Sequence, residues 1–302
     1  MTLNIGFVGL GMMGLPMVEN LAGGEERYDI LAYDRDPARL ERLAGHPAWN
    51  RNLRPAAGLA AMADRDIVIT MLPDSAITNA VIEGEHGLAG IMRAGSVLLD
   101  MGSSNPAETR RLAPRLREAG VTLIDAPVSG AVAKAAAGTL AIMVGAGADE
   151  LERVRPVLSR MGASLIHTGA AGSAHAMKAL NNYVYAAGLL AASEALLIAR
   201  RMDLDLDVFT DVLNASSGRN VATETKLRQF IVPGTYNGGF ALALMAKDLR
   251  TADALQALAG VPASQLSLCT ALWQRARETL PAGADNTEIH RYLENLSAPA
   301  PD

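Results

Sequence analysis

The sequence predicts two domains of different class. The first is an α/β domain with a doubly wound, mostly parallel sheet (a Rossmann domain), and the second is all-α, joined to it by one long helix. Three observations carry this. Short β-branched runs alternate with helical stretches through the first half, as in an open parallel sheet. From residue 174 to residue 202 there is no proline and only one glycine, Gly188, in a stretch dominated by Ala and Leu. A glycine-rich loop stands at the very start of the chain, between an apolar run and a helical pattern.

In chain order, residues 4–8 read as a buried strand and residues 12–23 as a helix. Residues 29–33 are strand-like and 37–44 helical, and further strands follow at 67–71 (IVITM), 96–100 (SVLLD) and 122–126 (TLIDA). Continuous apolar runs of about five residues suit parallel strands covered on both faces. Residues 140–145 and 164–167 extend the sheet at its edge, whereas 46–55 give no recognisable element. The long helix spans about 28 residues, or about 42 Å at 1.5 Å per residue. Further helices are expected over 205–214, 246–259 and 264–280, with no convincing strand among them. The boundary is expected at 169–173. That gives a dinucleotide-binding domain over 1–168, a helical substrate and oligomerisation domain over 169–296, and a flexible tail, SAPAPD, over 297–302.

Composition narrows the functional classes. At 302 residues, half of them hydrophobic, the chain can bury two cores. A formal net charge of -5 argues against a nucleic-acid partner, which favours a basic face. The single cysteine, Cys269, allows no internal disulfide and fits a reducing, cytoplasmic compartment. The N-terminal apolar run lacks a basic leader and is broken by glycines, so neither a signal peptide nor a membrane span is expected. None of the five histidines falls in an HExxH spacing, and no metal is expected.

Gly9-Leu10-Gly11-Met12-Met13-Gly14 is a GxGxxG motif, and Asp34 lies twenty residues beyond Gly14 at the end of the second strand. Between a strand and a helix, this spacing points to a dinucleotide. Gly9 allows the tight turn, Gly11 admits the pyrophosphate and Gly14 permits close helix–strand packing. The helix N-terminus offers N–H groups and a positive dipole end to the phosphates. Asp34 would accept the adenine-side ribose hydroxyls and repel a 2′-phosphate, which favours NAD. The neighbouring Arg35 is suited to a 2′-phosphate and keeps NADP as the alternative.

The opening GFVGLGMMGLPMVENL resembles that of the β-hydroxyacid dehydrogenases, the group that includes 3-hydroxyisobutyrate dehydrogenase, tartronate semialdehyde reductase and, more distantly, 6-phosphogluconate dehydrogenase. Three later segments agree in order: DAPVSGA at 125–131, GAAGSAHAMKALNN at 169–182 and FALALMAKD at 240–248. The resemblance implies that Lys178 is the catalytic lysine, moving the proton that hydride transfer leaves behind. Asn182, four residues on and on the same helix face, would hold the substrate oxygen or orient the lysine. It implies that Ser129, Gly130 and Ala131 present hydroxyl and N–H groups to the substrate carboxylate, although the family often has glycine at the last position. Met71-Leu72-Pro73 and Ser103 are implied cofactor contacts, as are Lys247 and Asp248, and Phe240 is an implied wall of the substrate site. His175 reads as a helix-start hydrogen bonder rather than a catalyst. Arg219 and Asn220, in SSGRN, are candidates for reading the far end of the substrate.

The expected function is therefore hydride transfer between NAD(P) and a small carboxylate-bearing hydroxyacid or semialdehyde, with Lys178 as acid/base. Two alternatives stand beside it: an NADPH-dependent semialdehyde or imine reductase, and a non-catalytic nucleotide-binding scaffold. The presence of Lys178 counts against imines, and that of Lys178 with Asn182 against the scaffold. The apolar stretch 186–197 (AAGLLAASEALL) is expected to be covered within its own domain or by a partner subunit, and the resemblance implies a homodimer or homotetramer formed through this domain.

Overall fold

The apolar runs of the first half become one nine-stranded sheet in a computed structural model that describes residues 2–24 and 28–296. The strands are β1 (Leu3–Val8), β2 (Tyr28–Tyr33), β3 (Leu53–Pro55), β4 (Ile67–Thr70), β5 (Val97–Asp100), β6 (Thr122–Asp125), β7 (Val128–Ser129), β8 (Leu140–Gly145) and β9 (Gly162–Gly169). Their order is β3-β2-β1-β4-β5-β6-β8-β7, with β9 paired to β8. Strands β1 to β6 pair in parallel, and β8 runs antiparallel to β6 and β7. The strand order reverses between β1 and β4, so the switch point where open α/β sheets bind ligands lies at their carboxyl ends. Every residue of β4 and β5 is buried, as continuous apolar runs require of strands covered on both faces.

Two strands had no signal in the sequence. β3 falls in the stretch 46–55; of its three residues only Leu53 is buried, and Arg54 and Pro55 are exposed. A three-residue edge strand ending in proline carries no apolar period. Its register comes instead from a turn with Asn50 at φ 59° and a bridge from Trp49 to Leu53. β7 has two residues and exists through its pairing with β8. The first helix, expected from residue 12, runs Gly14–Ala22, with residues 11–13 in a turn.

The second half is helical. The long helix is Ser173–Arg201, followed by Leu206–Ala215, Leu242–Ala259, Ser264–Thr279 and Ile289–Leu296. Asp205 caps the second of these by accepting from the N–H groups of Asp207 and Val208. Gly260, at φ 65°, ends the third. A π-helix, Thr223–Ile231, and the last helix lay outside the sequence expectation. The fully buried Trp273 packs in a cluster with Leu189, Leu196, Leu227 and Leu249.

The chain divides into two compact units, Met1–Lys178 and Ala179–Asp302. This division falls within the long helix. The reason is local: buried Asp125, at the end of β6, accepts hydrogen bonds from the N–H groups of Gly172 (2.7 Å) and His175 (2.9 Å), tying the first helical turn to the sheet. The helix is long and apolar enough to cross a membrane by length and composition alone, and 44% of its most apolar window is buried within the chain. Leu189 and Leu196 are buried on one side, while Val184 and Ile198 are exposed. The expected tail, 297–302, lies outside the described residues.

Candidate active site

The glycine loop meets the steric demands of a dinucleotide. A Cβ on Gly14 would stand 2.0 Å from the Gly9 carbonyl oxygen, and one on Gly9 would stand 2.5 Å from that of Met71. Gly9 also sits at φ 100°, a conformation that side-chain-bearing residues avoid. A Cβ on Gly11 would meet nothing nearer than the Arg39 guanidinium at 3.6 Å, so that face of the loop is open to an approaching ligand. Met12 is exposed at the tip and Leu10 is buried beneath it, with Met13 as the residue ahead of the helix. The residues present therefore fit a pyrophosphate at this helix start.

Asp34 ends β2 nearly buried. One carboxylate oxygen accepts from the N–H of Leu10 at 2.7 Å and the other from the N–H of Asp36 at 2.9 Å. The carboxylate thus braces the glycine loop. Arg39, not Arg35, is the arginine beside it, at 3.4 Å, while Arg35 is exposed.

The neighbouring strand ends converge on the same edge. Met71 donates its N–H to Val8, and Leu72 packs so closely on Gly102 that a Cβ there would sit 2.7 Å from the Leu72 carbonyl oxygen. Pro73 follows, and Ser103 follows Gly102. β5 and β6 both end in aspartate. Asp100 accepts from the Thr70 hydroxyl, the Ser104 hydroxyl and the Gly102 N–H, which fixes the loop that carries Ser103. Asp125 fixes the start of the long helix, and a Cβ on Gly145 would collide with its carboxylate. Neither aspartate was assigned a role from sequence, although the parallel endings VLLD and TLID were a readable sign.

Beyond β6, Ser129 closes β7 half-buried. Gly130 follows at φ 141° and Ala131 at φ 56°. The left-handed backbone at Ala131 costs an L-residue about 1–2 kcal/mol, a conformation that glycine would adopt without that cost.

The long helix presents its polar residues in order. His175 is buried, with Nδ1 2.8 Å from the Thr109 hydroxyl and Nε2 3.1 Å from the Gly102 carbonyl oxygen. A carbonyl only accepts, so Nε2 carries a proton and donates. Both ring nitrogens are engaged in holding the helix start, in agreement with the non-catalytic reading. Lys178, one turn on, is only 9% exposed although it is a lysine. Asn182 follows at i+4 and is also buried.

Within the helical unit, the Asn182 amide donates to one oxygen of buried Asp248 at 2.5 Å, and the other oxygen receives the Lys247 ammonium at 2.9 Å. Asp248 thus fixes two of the residues singled out from sequence. Phe240, half-buried, belongs to a second group in this unit. Its N–H donates to Asp285, its carbonyl accepts from Asn286, and the Asn286 side chain donates to the Tyr185 hydroxyl at 3.1 Å. Burial pushes the Tyr185 phenol up to about 12, the Asn286 hydrogen bond opposing and the Asp285 charge adding to it. Arg219 and Asn220 have local roles. Arg219 pairs with Glu224, and Asn220 caps the π-helix by accepting from the N–H groups of Ala222 and Thr223.

Comparison with known proteins agrees with these arrangements. Residues 4–169 match the model of the NAD binding domain of 6-phosphogluconate dehydrogenase, and residues 172–293 match that described as the NAD-binding domain of NADP-dependent 3-hydroxyisobutyrate dehydrogenase. The chain is 35% identical to 2-(hydroxymethyl)glutarate dehydrogenase of Eubacterium barkeri, over 98% of this chain and 96% of that one. It is 35% identical to human mitochondrial 3-hydroxyisobutyrate dehydrogenase, over 82% of this chain and 74% of that one. Among solved structures, 3-hydroxyisobutyrate dehydrogenase of Mycobacterium tuberculosis, determined with L-serine, superposes with a TM-score of 0.85 at 31% identity, covering 97% of this chain and 99% of that one. The chain belongs to the 3-hydroxyisobutyrate dehydrogenase family of NAD(P)-dependent hydroxyacid oxidoreductases.

Proposed function

We propose that this chain interconverts a small β-hydroxyacid and its semialdehyde, with Lys178 as the proton-transfer group. The observation that carries this reading is a lysine nine-tenths buried on a helix, one turn before an asparagine whose amide is locked by a buried aspartate. A lysine is rarely withdrawn from water without a task or a partner. In the oxidation direction the substrate C–H bond breaks as a hydride leaves. The hydroxyl proton passes to the neutral Lys178 amine while the carbonyl forms. In the reverse direction the Lys178 ammonium returns it. NAD(P), when bound, supplies the hydride acceptor or donor.

The remaining residues bind and orient. The Ser129 hydroxyl and the N–H groups at Gly130 and Ala131 form a short turn suited to the substrate carboxylate. Asn182, whose amide donates to Asp248 and whose carbonyl accepts from the Asn181 amide at 3.2 Å, would orient the substrate hydroxyl or the lysine one turn away. Gly9 to Gly14 hold the pyrophosphate, with Met71, Leu72, Pro73 and Ser103 lining the cofactor's path, and Lys247 places a positive charge on it. Asp34 favours NAD over NADP, because its carboxylate is nearly buried at the ribose position and a 2′-phosphate would add a second negative charge beside it.

Initial rates with NAD and with NADP, over a panel of β-hydroxyacids including 3-hydroxyisobutyrate and L-serine, test this reading. At least one acid is expected to turn over, faster with NAD, and Lys178→Ala is expected to lose about 10²-fold or more in kcat. Wild-type rates in the variant would overturn the assignment.

A further inference from the structure

The helical unit holds a second lysine with an unusual environment. Lys226 lies in the π-helix Thr223–Ile231, a wide-turn geometry that recurs at functional sites. It is half-buried. Its ammonium donates to the Gly238 carbonyl at 3.1 Å and lies 5.2 Å from the Phe230 ring centre. Among the described residues no carboxylate stands within ion-pairing distance of it. The acid whose charge acts on it, Asp285, has both oxygens committed: one accepts from the N–H groups of Gly239 and Phe240, the other from the N–H and hydroxyl of Thr287. The contrast with Lys247, paired with buried Asp248, is direct. Burial lowers the pKa of Lys226, and the Asp285 charge offsets this only in part. Two of its three N–H donors are left for a partner from outside the chain.

Its position relates it to the proposed chemistry. Lys178, Asn182 and Tyr185 fall at i, i+4 and i+7, one stripe along the long helix. The Tyr185 hydroxyl meets Asn286, Asn286 meets the Phe240 carbonyl, and Phe240 lies two residues from Gly238, which receives the Lys226 ammonium. Lys226 is thus linked, through contacts inside the helical unit, to the helix face that carries Asn182 and to the residue assigned as a substrate wall.

We propose that Lys226 is a specificity-determining residue that reads an anionic far end of the hydroxyacid, so that the preferred substrates of this chain carry a second carboxylate. A half-desolvated ammonium not engaged in an ion pair among the described residues is complementary to a carboxylate and penalises an apolar arm. The inference rests on the hydroxyacid reading above and narrows it from small β-hydroxyacids to dicarboxylic ones.

A matched pair of probes tests it. 2-(Hydroxymethyl)glutarate and 3-hydroxyisobutyrate share the reacting 3-hydroxypropanoate unit and differ in the arm, which ends in a carboxylate in one and a methyl in the other. The wild-type chain is expected to favour the diacid in kcat/KM by at least about tenfold. Lys226→Met should collapse that ratio by about 10- to 100-fold, chiefly through KM for the diacid, as for loss of one charge-assisted contact. Lys226→Arg should restore most of the preference, which separates loss of charge from loss of fold. Equal use of both acids by the wild type, or an unchanged ratio in Lys226→Met, would overturn the proposal. Turnover of 3-hydroxyisobutyrate alone would overturn it and leave the hydroxyacid reading standing. Turnover of neither probe while another β-hydroxyacid such as L-serine is oxidised would likewise overturn it and leave the hydroxyacid reading standing, and no turnover of any acid in the panel with either cofactor would overturn both.

Discussion

Two of the glycine loops that precede a helix, one in each unit, solve different problems. In the sheet unit, Gly9 to Gly14 run from β1 into the first helix. In the helical unit, Gly238 and Gly239 run through Phe240 into Leu242–Ala259. Each is braced by a carboxylate from a distant position: Asp34 takes the Leu10 N–H, and Asp285 takes the N–H groups of Gly239 and Phe240. Beyond that the two diverge. The first loop keeps Gly11 open, so its recognition is done by backbone. The second has spent its N–H groups on Asp285, and the charge beside it comes from a side chain, Lys226. A backbone site needs only glycines in a fixed spacing, and that spacing can be read in sequence. A side-chain site needs residues brought together by folding, and this one draws on positions 185, 226, 240 and 285–286.

The largest expected break of this comparison is Gly14→Ala. Its methyl would overlap a backbone oxygen that cannot swing away, so the loop itself must shift. A cost of about 3 kcal/mol, roughly 10²-fold in NAD affinity, is expected. Fluorescence titration with NADH measures it, and an unchanged dissociation constant would show that the loop does not seat the pyrophosphate. A smaller effect is expected from Asp285→Ala in the other loop. Four accepted hydrogen bonds disappear, leaving backbone N–H groups at Gly239, Phe240 and Thr287 without that partner. Much of this surface is wet, so about 2 kcal/mol of stability should be lost in denaturant unfolding, with the NADH dissociation constant unmoved. A loss of NADH binding of the same size as for Gly14→Ala would erase the distinction between the loops.

The smallest expected effect separates the units by pH. His290, fully buried in the last helix, has no hydrogen-bond partner at either ring nitrogen among the described residues. Burial, with the Arg200 charge, lowers its pKa to about 4, and Glu294 opposes the shift. The unfolded chain therefore binds this proton more readily between about 6.5 and 4. The stabilisation is complete above 6.5 and is lost as pH falls toward 4. The shift sets a ceiling of roughly 3 kcal/mol, and screening by the exposed Arg200–Glu294 pair brings the expected loss to about 1 kcal/mol. His290→Phe should remove that slope. An equal slope in the variant would place the acid sensitivity elsewhere.

The same contrast explains which parts of the molecule were legible. The strands β1, β4, β5 and β6 are continuous apolar runs, and the long helix is a proline-free stretch, so periodicity locates both. β3 and β7 are too short and too exposed to have a period, and only their neighbours define them. Lys178, Asn182, Lys247 and Asp248 were legible as residues through four ordered motifs. Their coupling was not: nothing in the spacing of 182 and 248 says that one carboxylate bridges an amide and an ammonium. Asp125 stood inside a recognised motif, and its work, pinning the helix start at Gly172 and His175, emerges only from geometry. The π-helix that carries Lys226 had no sequence signature at all.

The central claim is that Lys178 moves the proton while backbone glycines hold the cofactor. Its most direct test is a single-turnover measurement of hydride transfer at the NADH absorbance band, on wild type and Lys178→Ala, each saturated with cofactor and hydroxyacid. The expected result is NADH binding within about twofold of wild type and a transfer rate lower by about 10²-fold or more. A variant that transfers hydride at the wild-type rate would contradict the assignment of Lys178.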